Sequence, residues 1–268
     1  MGNAGSTSRV SLITISGNIP SFTDVKEQIN SAFNQPNLKA VCLKINSPGG
    51  CPAQSHLIAE YIKCKAKKTQ VPVFCFAENL AASGGYLVAC AASMIFVSRF
   101  SNVGSIGVTM TSYSVTKLLD MLGIESKVFT AGSLKGGLSP LTSTTVEEEL
   151  YIKNLLNEVH QEFIKFVKEN RAERLALKES NILFSGAVFG ARRAIELGLV
   201  DGLYTVLEDK VGELIEDKKF KLVQIKNKDD GSGLENFFGF ASKIIANYCN
   251  KKYYNGMISV CAYNNFSK

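Results

Sequence analysis

Leu38-Lys39-Ala40-Val41-Cys42-Leu43-Lys44-Ile45-Asn46 is a run rich in Val, Leu and Ile that stops at Ser47-Pro48-Gly49-Gly50, and a helical pattern follows near Ala53–Lys68. Strand, glycine turn and helix in that order form one half of a βαβ unit. The order then recurs. Val71–Ala77 reads as a second buried strand, the small-residue segment Ala81–Ser93 follows, and Met94–Val97 is a further strand. Upstream lie a strand at Val10–Ile15 and an amphipathic helix at Phe22–Phe33. Downstream, Tyr113–Leu122 has a helical pattern and Ser126–Thr130 is strand-like. Strands alternating with helices predict an α/β fold with a parallel sheet, covered on both faces and joined by right-handed crossovers.

Val146–Arg171 predicts a long helix, with Leu150, Leu155, Leu156, Val159, Phe163, Phe166 and Val167 at helical spacing. Thr144 or Thr145 is its N-cap, and Glu147–Glu149 place acids in the first turn. More helix is expected around Arg192–Leu197. Asp229-Asp230-Gly231-Ser232-Gly233 reads as a linker before a final helix at Leu234–Ala246, so residues 1–228 form one domain and 229–268 a linker and basic tail.

The 268 residues suffice for a full hydrophobic core. No apolar run reaches the roughly 18–20 residues that span a bilayer. The start, MGNAGSTSRV, lacks the apolar centre of a secretory signal, so no membrane-spanning segment is expected. The net charge of +6 equals that of residues 218–268, where nine lysines face three acids. That tail is a solvated terminus or a contact for an anionic membrane surface. No zinc spacing or RNA-binding aromatic motif accompanies it, so nucleic acid is not an expected partner. The seven cysteines (42, 51, 64, 75, 90, 249, 261) are scattered, several within apolar runs. They read as small buried hydrophobes of a reducing compartment, cytoplasmic or at the membrane periphery, with no metal-ligand spacing. Cys51 stands apart, because it follows two glycines in a loop.

Gly49-Gly50 falls at the carboxyl edge of the sheet, where α/β proteins bind ligands, and its backbone can approach a substrate closely. Amides exposed there can hold an oxyanion. The second glycine segment, Ala81-Ala82-Ser83-Gly84-Gly85-Tyr86, puts a serine at a strand-to-helix turn among small neighbours. Ser83 is an N-cap on one reading and a nucleophile on the other. A nucleophile needs a base, and His56 and His160, the two histidines, sit within helical patterns as structural residues. A lysine serves instead if its surroundings keep the amine neutral. Lys135 is the candidate, in the uncharged, glycine-rich loop Ala131–Pro140, with Lys127 and Glu147 the nearest charges along the chain.

Asn46-Ser47-Pro48-Gly49-Gly50, Ala82-Ser83-Gly84-Gly85-Tyr86, Gly104-Ser105-Ile106-Gly107-Val108, the Lys135 loop and Gly198-Leu199-Val200-Asp201 occur in this order. Together they resemble the signal peptide peptidase A family of serine–lysine peptidases, over about Val10 to Gly202. The resemblance implies a Clp/crotonase-like fold of repeated ββα units with helices outside and a C-terminal helical extension. It implies Ser83 as nucleophile, Lys135 as general base, the backbone of Gly50 and Gly84 as oxyanion hole, and Ser105 as the group orienting the lysine. It assigns Gly198–Asp201 to structure, turning the chain after a helix. It also implies homo-oligomers whose active site is shared between subunits, substrates that are short, unfolded, apolar peptides such as released signal peptides, and neither metal nor cofactor.

The chain departs from that pattern in having no N-terminal anchor and no charged neighbours after the lysine. Met1-Gly2 with Ser6 fits an N-myristoylation pattern. Three other readings share parts of the set. A Clp-type peptidase needs a histidine soon after the serine helix, and none follows. A crotonase-like acyl-CoA enzyme shares the fold and the oxyanion amides without needing Ser83 and Lys135 together. An inactive oligomeric scaffold keeps the glycine motifs for packing alone.

Overall fold

The computed structural model describes residues 7–132 and 134–226. The linker, the final helix and the N-terminal acylation pattern named above lie outside these residues, as do Cys249 and Cys261. The described chain forms two compact units, one from residues 7–109 with 154–226 and one from 110–153.

The first unit is a sheet layered between helices. Its elements are β1 (Arg9–Asn18), α1 (Phe22–Phe33), β2 (Leu38–Gly49), α2 (Pro52–Thr69), β3 (Val73–Ala82), α3 (Gly84–Ala89), β4 (Met94–Val97) and β5 (Asn102–Gly104). After the second unit come the C-terminal part of α5 (Val146–Arg171), α6 (Ser180–Leu183), β6 (Val188–Gly190), α7 (Ala191–Glu196), β7 (Gly202–Leu203), α8 (Leu207–Leu214) and β8 (Lys221–Ile225). The short helix of the second unit, Thr116–Met121, is α4.

The strand order is β6-β5-β3-β2-β1-β8, and every pairing is parallel except β5 with β6. Two short strands share one edge of β3. Its first half, Phe74–Ala77, pairs with β4, and its end, Leu80–Ala82, pairs with β5. This split explains why β3 runs past the Ala77 boundary expected from composition: Ala81 and Ala82 still have a partner strand.

Side chains alternate across the sheet with period two. Ile13, Ile15, Leu43, Ile45, Cys75 and Ile95 face one core with helical partners such as Ile29, Ile58 and Phe166. Val10, Leu12, Cys42, Phe74, Phe76 and Phe96 face the other, covered by Val211 and Leu214 of α8. Both faces are therefore buried, as the strand–helix alternation predicts. Two expectations fail. Ser126–Thr130 forms no strand, since it has no pairing partner among the described residues and Phe129 is 93% exposed. Cys42, Cys75 and Cys90 are buried, but Cys64 is exposed on α2, as is Cys51 at its start.

In the second unit Thr145, rather than Thr144, caps α5. Its N–H and Oγ–H donate to Glu148 Oε2 (2.8 and 3.1 Å), while Glu148 N–H donates back to Thr145 Oγ (3.2 Å).

Candidate active site

At the end of β3 the backbone turns sharply. Ser83 has φ +51° and ψ −124°, a conformation that costs a non-glycine residue about 1–3 kcal/mol and persists only where the surroundings enforce it. Enforcement comes from both flanks. Ser83 N–H donates to Gly104 O (2.8 Å), and Ser83 O accepts from Leu87 N–H (3.0 Å) within α3. The side chain makes no capping hydrogen bond. Its half-buried hydroxyl is thus not spent on the helix, which removes the main support for the N-cap reading.

Glycines make the close approach around Ser83 possible. Gly49 has φ +118°, and a Cβ there would lie 2.8 Å from Ser83 Cβ and 3.0 Å from Gly84 N. A Cβ on Gly84 would run into Ser55 Oγ and lie 3.2 Å from Gly50 N. The Pro48-Gly49-Gly50 turn and the start of α3 therefore touch backbone to backbone. Gly49 N–H is occupied, donating to Ser47 Oγ (3.1 Å). Among the described residues the N–H groups of Gly50 and Gly84 have no acceptor; Gly84 opens α3 and has no carbonyl one turn back to bond. Two unspent amides thus lie where the two loops meet, beside Ser83.

Ser105 belongs to the same wall. It is also left-handed, at φ +52°, and its N–H donates to Ala187 O (2.7 Å). Ser83, Ser105, Gly49 and Gly50 line one cavity of about 550 Å³, as do Gly107 and Gly186. The residue after Ser105, the buried Ile106, is tied to α5 through a 3.0 Å hydrogen bond between His160 Nε2 and Ile106 O. His56 is exposed and packs edge-on against Phe166, with ring centroids 5.4 Å apart. Neither histidine lines this cavity. Asn18 and Ser185 also line it, and the sequence does not mark them as site residues. Their signals were weak ones, a Gly17-Asn18 strand end and a Ser185-Gly186 turn.

Lys135 lies in the second unit. It is exposed, and its N–H donates to Gly132 O (3.0 Å) in a run of turns. Its loop is less free of charge than its sequence suggests, because a Cβ on Gly137 would sit 3.2 Å from Glu148 Oε1.

Behind the serine, Gly198–Asp201 acts as an anchor. Tyr86 Oη–H, on α3, donates to Leu199 O (2.7 Å). Arg171 is fully buried and donates to both Asp201 carboxylate oxygens (2.8 and 3.0 Å) and to Gly198 O (3.1 and 3.0 Å). Burial alone would lower the guanidinium pKa; the hydrogen bonds that Arg171 donates to Asp201, with the attraction of the groups around it, outweigh that and raise it. Asp201 also accepts Ile95 N–H (2.7 Å). Burial pushes the Tyr86 phenol well above its usual range, so it stays a donor.

The sequence profile of peptidase family S49 matches residues 65–221. The chain is 41% identical over 196 residues to a Brucella melitensis protein named Na(+)/H(+) antiporter NhaA, a match covering 73% of this chain and 26% of that one. It is 32% identical over 223 residues to an Enterococcus faecium protein named putative signal peptide peptidase SppA, covering 82% of this chain and 61% of that one. It thus spans between a quarter and three-fifths of these relatives' length. Among solved structures it resembles the 1510-N membrane-bound stomatin-specific protease, a lysine-to-alanine mutant in complex with a substrate peptide. That match has a TM-score of 0.57 and 14% identity, covering 87% of this chain and 98% of the other, and it speaks to the fold.

Proposed function

The chain belongs to peptidase family S49, and from that membership we propose that it is a serine endopeptidase with Ser83 as nucleophile and Lys135 as general base. The observation that carries the reading is the Ser83 turn: a strained serine whose hydroxyl makes no capping bond, beside two amides without an acceptor among the described residues.

In the proposed reaction the neutral Lys135 amine takes the Ser83 Oγ proton as Oγ attacks a peptide carbonyl. The Gly50 and Gly84 N–H groups stabilise the oxyanion; they are preorganised, so no reorganisation is needed as charge develops. The Lys135 ammonium then protonates the leaving amine. A water, deprotonated by Lys135, hydrolyses the acyl-enzyme and restores the serine. Ser105 orients the amine, a role its place on the Ser83 cavity supports. A lysine that acts as a neutral base needs desolvation, and Lys135 is exposed in the single chain. That requirement supports a homo-oligomer with a site shared between subunits. Short, unfolded, apolar peptides, released signal peptides among them, are the proposed substrates. The basic tail gives the protein contact with an anionic membrane surface.

A serine-directed fluorophosphonate tests the reading. It should label Ser83 in the wild type and fail to label Ser83→Ala. Binding of coenzyme A without Ser83 labelling would instead support the acyl-CoA reading.

A further inference from the structure

A second cavity, of about 760 Å³, adjoins the one that holds Ser83, and Pro52 lines both. Its floor is apolar, built from Leu87 on α3 and Val159, Phe163 and Phe166 on α5. Its rim is acidic. Glu158, Glu162 and Glu169 face it along with a single lysine, Lys165. The three carboxylates lie four and seven residues apart, on one face of α5. Glu162 is 4.0 Å from Lys165, with both side chains largely exposed, whereas Glu158 and Glu169 form no ion pair among the described residues. The nearby Lys63 is committed, pairing with Glu60 (2.8 Å) and lying over the Phe166 ring.

We infer that this cavity is a specificity site for the peptide substrate, taking an apolar side chain and selecting, through Glu158, Glu162 and Glu169, for a Lys or Arg two residues away. The inference rests on the peptidase reading above. A peptide with its carbonyl at Ser83 passes Pro52 to enter the second cavity. In an extended peptide, residues two apart project from the same face. An apolar side chain seated on Phe163 and Phe166 therefore carries its basic neighbour to the glutamate rim. The floor supplies non-directional burial and the rim supplies the discrimination, since a carboxylate there attracts a cation and repels an acid.

The test uses three quenched-fluorescence peptides that differ only in Lys, Gln or Glu two residues from a fixed leucine, with the full chain at one oligomeric state. The expected order of kcat/KM is Lys above Gln above Glu, by about 1.4- to 5-fold per carboxylate engaged at low salt, shrinking as salt rises. Glu158→Gln, Glu162→Gln and Glu169→Gln combined should bring the Lys/Gln and Gln/Glu ratios of kcat/KM to about one. A second readout does not depend on turnover: in Ser83→Ala, the Lys peptide should slow alkylation of Cys51, which lines the cavity, and leave Cys64 unaffected. Equal rates for the three peptides, or a Lys preference that survives the triple substitution, overturns the inference. If no peptide is cleaved, the peptidase reading falls, and Cys51 protection alone decides the binding site: selective protection upholds it, and none overturns it.

Discussion

Gly49→Ala isolates the geometry on which the proposed chemistry depends. The added Cβ would stand 2.8 Å from Ser83 Cβ and 3.0 Å from Gly84 N, at φ +118°. Ordinary carbon–carbon contact begins near 3.5 Å, so Ser83 and residue 49 must separate by roughly 0.7 Å. The backbone conformation itself costs an alanine about 1–3 kcal/mol. Displacements on this scale at a reacting atom cost up to about 100-fold, so kcat should fall by about 10- to 100-fold with KM little changed. Gly123→Ala is the matched control. Gly123 is also left-handed, at φ +67°, but has nothing within 4 Å of the would-be Cβ. It should lose about 1–2 kcal/mol of stability and no activity. Urea unfolding, steady-state peptide cleavage and the rate of Ser83 labelling measure the three quantities. A Gly49→Ala protein that turns over within twofold of wild type would refute the claim that glycine at 49 sets the serine's position.

Two further outcomes follow from the buried network. Asp201→Asn leaves the fully buried Arg171 without its counter-charge and should cost about 3–5 kcal/mol in urea unfolding, most of it recovered when Arg171→Met and Asp201→Leu are combined. Burial raises the thiol pKa of Cys42 and Cys75 strongly, and that of Cys90 to about 12. All three should therefore resist alkylation below pH 9 until the protein unfolds, while Cys51 and Cys64 react in the native state, as peptide-resolved mass spectrometry would show.

The elements that the sequence predicts to the residue are those whose signals are local. Phe22–Phe33 has a clear apolar stripe and Ser21, whose side chain accepts the Asp24 N–H; Val146–Arg171 has its stripe and the Thr145–Glu148 box. Missed elements depend on distant partners. Lys221–Ile225 is a strand because β1 offers it an edge, and Ser126–Thr130, richer in strand-forming residues, has no pairing partner among the described residues. Pairing, not propensity, decides such short segments. The site divides in the same way. Its glycines are visible as loop signals, and the serine among small residues is visible too. That the Gly50 amide has no acceptor among the described residues, while Gly49 spends its own on Ser47, depends on how the two loops meet. The second cavity, with its acidic rim, depends on α2 and α5 lining one groove. The sequence carries no marker for that.

In the proposed mechanism Ser83 and Lys135 act as one catalytic pair. The direct measurement is hydrolysis of an unstructured apolar peptide by wild type, Ser83→Ala and Lys135→Ala, each at the same oligomeric state. Both substitutions should lower kcat by about a thousandfold or more while leaving assembly intact, and the double substitution should cost little beyond either one. Lys135→Ala turning over at the wild-type rate would contradict the pairing and leave Ser83 without its proposed base.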